Sequence, residues 1–110
     1  MNAATKILIA SECGITVQTR DDVSNAIGTS LGHKLILSES ELGPDFFDLS
    51  TGLAGELFQK FVNYRIKAAI IILTPEAYGE RFAELAYEHA SHPIIRIVPS
   101  LDQAMSWLQT

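Results

Sequence analysis

"DFFDLSTGLAGELFQKF", residues 45–61, runs from an extended, turn-rich segment into an amphipathic helix, and its reading decides the fold. Leu53, Leu57, Phe58, Phe61 and Val62 fall on one side of a helical wheel; Glu56, Gln59, Lys60 and Asn63 fall on the other. Glu56 and Lys60 also stand in the favourable order for an i,i+4 pair, worth about 0.2–0.5 kcal/mol. At the junction, the hydroxyls of Ser50 and Thr51 stand beside Gly52, Ala54 and Gly55. A hydroxyl there caps the helix, and Gly52 and Gly55 leave room for another backbone or an anion to approach its amide end.

Working outward, strands and helices alternate. "KILIA" (6–10) and "GITVQT" (14–19) read as a hairpin or two neighbouring strands turning at Gly14. From Asp21 the period lengthens: Val23, Ile27 and Leu31 lie four apart, Asp21 and Asp22 suit the positive end of a helix dipole, and Gly32 stops the helix. "HKLILSES" (33–40) is a strand followed by the turn residues Gly43 and Pro44, with His33 at its start. "KAAIIIL" (67–73) is nearly continuous in apolar residues, as expected of a central strand covered on both faces. Thr74 and Pro75 suit a helix start carried on by Tyr78, Phe82 and Leu85. "PIIRIVP" (93–99), bracketed by prolines, suits an edge strand. Ser100 and Gln103 match a capping box for a last helix whose stripe is Leu101, Ala104, Met105 and Leu108. The expected order is β-β-α-β-α-β-α-β-α, an α/β fold with a mixed sheet and helices packed against it, in one domain over residues 1–110.

Composition narrows the function classes. The net charge is -5 and the eight Lys and Arg residues are scattered, which argues against nucleic-acid and anionic-membrane partners. Cys13 is the only cysteine, so no disulfide forms within the chain and a reducing, cytoplasmic setting is expected. Beside the acid Glu12, its thiolate is disfavoured. The apolar run in residues 1–10 is too short for a membrane span and lacks a secretory pattern. No Gly-rich phosphate loop and no nucleophile elbow occurs, so an enzyme is the minority expectation and no cofactor is expected.

"DLSTGL" (48–53), followed by a "RIKAAIIIL" (65–73) strand after a strand-strand-helix start, resembles the STAS domains, which include the bacterial anti-anti-sigma factors. In that family a serine or threonine at the start of the corresponding helix is phosphorylated by a partner kinase. Matched through Gly52 and Leu53, the hydroxyls here are Ser50 and Thr51, with Leu49 before them and Asp48 as the nearby acid. "PDFFDLSTGLAGELFQKFVNYRIKAAI" (44–70) and "LDQAMSWL" (101–108) are similar to a family of small bacterial cytoplasmic proteins of unknown function. Together the resemblances imply a STAS-like regulatory or binding domain.

The expected binding or phosphorylation site is Asp48, Ser50, Thr51, Gly52 and Gly55, and its expected partner is another protein. A phosphate on Ser50 would add about two negative charges beside Asp45 and Asp48 and switch the partner off. The adjacent Phe46 and Phe47 are a candidate partner surface, one expected to anchor the loop and the other to contribute to the contact, and exposed apolar residues there would allow homodimerisation. The rival reading is a small-ligand domain or enzyme using the acidic loop of Glu39, Glu41, Asp45 and Asp48 at the C-terminal edge of the sheet. His89 and His92, with Glu88 nearby, form the only other cluster suited to proton or metal chemistry; no third ligand is apparent, and no metal site is expected.

Overall fold

The continuous apolar run at 67–73 forms an interior strand, as its composition requires. In the computed structural model, which describes residues 5–110, strands β1 (Ile7–Ile9), β2 (Lys34–Ser38), β3 (Ala68–Ile71) and β4 (Ile95–Val98) make one sheet. Its order is β1-β2-β3-β4 and every pair is parallel. The expected edge strand, β4, is at an edge. The part of the N-terminal stretch before Thr5 lies outside the described residues.

Among the described residues six α-helices connect and cover the strands: α1 (Ala10–Cys13), α2 (Arg20–Ser30), α3 (Pro44–Phe47), α4 (Leu53–Asn63), α5 (Glu80–Glu88) and α6 (Leu101–Leu108). Alternation along each strand separates two apolar layers. Leu35, Leu37, Ala68, Ile70, Ile95 and Ile97 face a large core built with α2, α4 and α5. Ile36, Ala69 and Val98 face the other way, onto Ala104 and Leu108 of α6. Among the described residues no helix is long and apolar enough to cross a membrane.

The α/β architecture holds, with one element placed differently from expectation. Residues 14–19 are not a second sheet strand, and the sheet is parallel rather than mixed. After β1 the chain turns through the single turn of α1, which Gly14 closes, and then runs extended through the α layer. Ile15 and Val17 are buried while Thr16 and Gln18 are exposed, the period of two that a strand would show. The segment pairs only through Val17, whose amide donates to Glu41 O at 2.8 Å and whose carbonyl accepts from the Gly43 amide at 3.1 Å. That bridge explains Gly43: a Cβ there would stand 3.1 Å from the Gln18 backbone and side chain.

Helix boundaries also differ locally. Leu31, Val62 and Leu101, counted in apolar stripes from spacing, are exposed: Val62 lies at the margin of its stripe, and Leu31 and Leu101 stand at helix ends. Pro75–Tyr78 forms a separate 3₁₀ turn, without a side-chain cap from Thr74, and Gly79 interrupts the chain before α5 begins. Glu56 pairs with Arg20 of α2 at 2.5 Å, so its ionic partner comes from a neighbouring helix. Ser100 caps α6 as expected, accepting the Gln103 amide at 3.2 Å.

Among the described residues one buried side-chain polar atom is an orphan. Ser30, at the end of α2, is fully buried and its hydroxyl has no hydrogen-bond partner. A buried hydroxyl without a partner forfeits its hydration for nothing. Ser30→Ala is therefore expected to stabilise the protein by about 1 kcal/mol, read as a higher denaturant midpoint with an unchanged slope.

Candidate functional site

The connection from β2 to α4 is a chain of small caps. Glu41 is buried because its carboxylate is satisfied, one oxygen accepting the Ser38 amide at 2.9 Å and the other the Ser40 hydroxyl. Pro44 opens α3 at a position where no amide hydrogen is needed. Asp48 then caps a 3₁₀ turn, Leu49–Thr51, by accepting the Ser50 amide at 3.1 Å. Gly52 closes that turn in the left-handed region, φ 78°, and α4 starts at Leu53.

The hydroxyl roles expected from sequence are redistributed. Ser50 does not cap α4; its Oγ donates back to Asp48 Oδ1 at 2.6 Å and remains exposed. Thr51 takes the helix-end role, its Oγ1 accepting the Leu53 amide at 3.2 Å, with the carbonyls of Asp45 (2.6 Å) and Asp48 (2.9 Å) in reach of its proton. Arg20 lies across the corner, donating to Thr51 O at 2.8 Å and to Glu56. A Cβ at Gly52 would stand 3.1 Å from that guanidinium. The amide end of α4 is thus shared with a cation, while Gly55 faces open space.

Phe46 is fully buried, which corrects its assignment to a partner or dimer surface. Its ring meets Phe47, Phe58 and Phe82 edge-on at centroid distances of 5.4, 6.1 and 6.0 Å. With Phe46 inside, Phe47 on the same short helix turns outward, half-buried, and stacks on Tyr78 at 3.7 Å with an interplanar angle of 8°. Tyr78 in turn donates its hydroxyl to Glu39, whose other oxygen accepts the Leu73 amide at 3.2 Å.

Beside this stack lies a cleft of about 770 Å³, lined by Phe47, Asp48 and Ser50 from the β2–α4 connection and by Tyr78, Glu80 and Arg81 from the segment that opens α5. Glu39 and Leu42 line it as well. It opens where β2 and β3 end, the edge at which parallel α/β sheets bind ligands. Of the residues singled out from sequence, the cleft brings together Glu39, Phe47, Asp48 and Ser50. Glu41 is spent on the turn, and Asp45 is exposed outside the lining, so the acidic loop does not converge. Tyr78 and Arg81 were not singled out; Gly79, which separates Tyr78 from α5, was the signal that Tyr78 belongs to a turn.

Electrostatics at the rim follow from these bonds. The Ser50 hydroxyl, then the Ser50 amide, stabilise the Asp48 carboxylate and hold its pKa below 3.8. The hydrogen bond to Glu39, then burial and the Glu39 charge, raise the Tyr78 phenol above 10. Asp48 is consequently a weak base for the hydroxyl it touches.

The family described as "Domain of unknown function (DUF4180)" matches residues 2–108. The chain belongs to this family. No curated protein and no solved structure matches it. The DUF4180 match spans both walls of the cleft, so the cleft lies within the family's domain.

Two measurements check this geometry. Phe46→Ala is expected to cost about 3–5 kcal/mol in chemical denaturation, the range for emptying a buried aromatic site. In Ser50→Ala, which loses the larger of the two bonds to Asp48, the Asp48 pKa read by NMR titration should rise toward 3.8. Because the folded pKa is depressed, the stability Asp48 contributes is present above 3.8 and lost as pH falls through the folded value; Ser50→Ala should diminish that contribution.

Proposed function

We propose that this domain is a non-enzymatic binding module of the cytoplasm that takes a small ligand in the cleft beside the Phe47–Tyr78 stack. The observation that carries the reading is the cleft itself, a concave site of about 770 Å³ at the C-terminal ends of two interior strands. Aromatic surface with a few polar groups at the rim is the usual make-up of a small-molecule pocket. Binding is favoured over catalysis because the one aliphatic hydroxyl among the lining residues, Ser50, is paired with a carboxylate of lowered basicity.

Thermal denaturation in the presence of nucleotides, amino acids and Mg²⁺ tests the reading. A ligand that binds only the folded state adds about 2.7 kcal/mol at a hundred times its Kd, and Tyr78→Ala should abolish the shift. A panel without a hit, or a hit unaffected in Tyr78→Ala and Phe47→Ala, counts against the cleft.

A second reading, a STAS-like protein-binding domain controlled by phosphorylation, is supported by one observation: Ser50 is exposed, at the cleft rim, just before an eleven-residue helix. Thr51, half-buried and bonded, is the less accessible of the two hydroxyls. A phosphate on Ser50 would exchange its bond to Asp48 for repulsion. Ser50→Asp should then weaken binding at least about tenfold, or about 1.4 kcal/mol, relative to Ser50→Ala, with circular dichroism unchanged. Equal affinities for the two variants would end this reading.

A further inference from the structure

The histidine pair set aside by the cleft holds the other end of the molecule together. His92 Nδ1 accepts two backbone amides, Ile94 at 3.0 Å and Ile95 at 3.1 Å, in the manner of an Asn-type turn that launches β4. An acceptor at Nδ1 carries no proton, so the folded ring is neutral with its hydrogen on Nε2. Arg96, in β4, donates Nε to the His92 carbonyl at 2.9 Å, and its guanidinium lies 4.7 Å over the ring centre of Trp107 in α6. The turn, the arginine and the tryptophan thus form a continuous contact from β4 to α6. The second sheet face packs against α6, of whose own residues only Ala104 and Leu108 are buried.

We propose that the His92 turn is an acid-operated latch: a proton on Nδ1 ejects both amides, releases Arg96 from Trp107 and loosens α6 from the sheet face it covers. The titratable and charged groups facing the ring oppose the added charge. His89, at the end of α5, stacks on His92 at 5.0 Å, and Arg96 approaches from β4. Lys67, before β3, is a second cation at the Trp107 ring, 5.9 Å from its centre. His89 itself cannot take over the acceptor role, because its Nδ1 must donate to Leu85 O at 2.8 Å.

The sign of the pH effect follows. Burial, then the charges of His89 and Arg96, hold the His92 imidazole below its ordinary value of 6.5. The unfolded or unlatched chain takes up the proton first, so the latch is fully closed above about pH 6.5 and weakens as pH falls below it.

Trp107 is the only tryptophan and reports the latch directly. Its emission is expected to shift reversibly to the red as pH falls from about 6.5 to about 4.5, with a midpoint below the ordinary histidine value. In the same range, hydrogen exchange should quicken in α6 and β4 while α4 stays protected. His92→Asn, whose Oδ1 accepts the same two amides without titrating, should remove the transition; His33→Gln should keep it. A wild-type protein whose emission and exchange are flat over this range overturns the latch, as does a transition that persists in His92→Asn. Should His92→Asn fail to fold, an NMR titration of His92 in the wild type decides: a pKa at or above 6.5 contradicts the latch, and a lower one with the same midpoint as the Trp107 shift supports it.

Discussion

The burial of Phe46 is the constraint on which the candidate site depends. Its ring is closed off by Phe47, Phe58 and Phe82, which belong to α3, α4 and α5. Burying an aromatic of this size is worth several kcal/mol, a large share of the about 5–15 kcal/mol that holds a domain folded. The connection between β2 and α4 is thereby pinned as firmly as a helix. Since adjacent positions on a short helix point in different directions, pinning Phe46 presents Phe47 to the cleft.

The opposite wall is held by different means. The stretch that contains Tyr78 is a 3₁₀ turn followed by a glycine, with little intrinsic rigidity. The Phe47 stack and the hydrogen bond to Glu39 supply what the backbone lacks. Glu39 sits at the end of β2, so Tyr78 is tied to the strand edge and α3 at once. Tyr78 and Phe47 therefore join the two walls at one end of the cleft, while Asp48, Ser50 and Arg81 line the rest of it.

Much of the fold was legible in the sequence because the long elements bury whole faces. The stripe of α4 and the continuous run of β3 leave only one packing solution each, and Ser100 needs only local geometry to cap α6. Residues 14–19 misled because alternation reports burial on one side and is silent on whether the backbone bonds into a sheet; Ile15 and Val17 satisfy it from within the α layer. The site was less legible. Ser50 and Thr51 are adjacent and chemically alike, and only the three-dimensional course of the turn gives the bond from the Leu53 amide to Thr51 and the exposed bond with Asp48 to Ser50. Phe46 and Phe47 were likewise indistinguishable by type. Tyr78 owes its role to partners at Glu39 and Phe47, more than thirty positions away, which no local pattern encodes.

The claim that an aromatic clamp joins the two walls is tested most directly by a double-mutant cycle on Phe47→Ala and Tyr78→Ala, read by chemical denaturation. A stacked pair that holds the walls together should show a coupling energy of about 0.5–1.5 kcal/mol beyond the two separate losses. Strict additivity of the two substitutions would mean that the walls stand independently and that the cleft is not a preformed site.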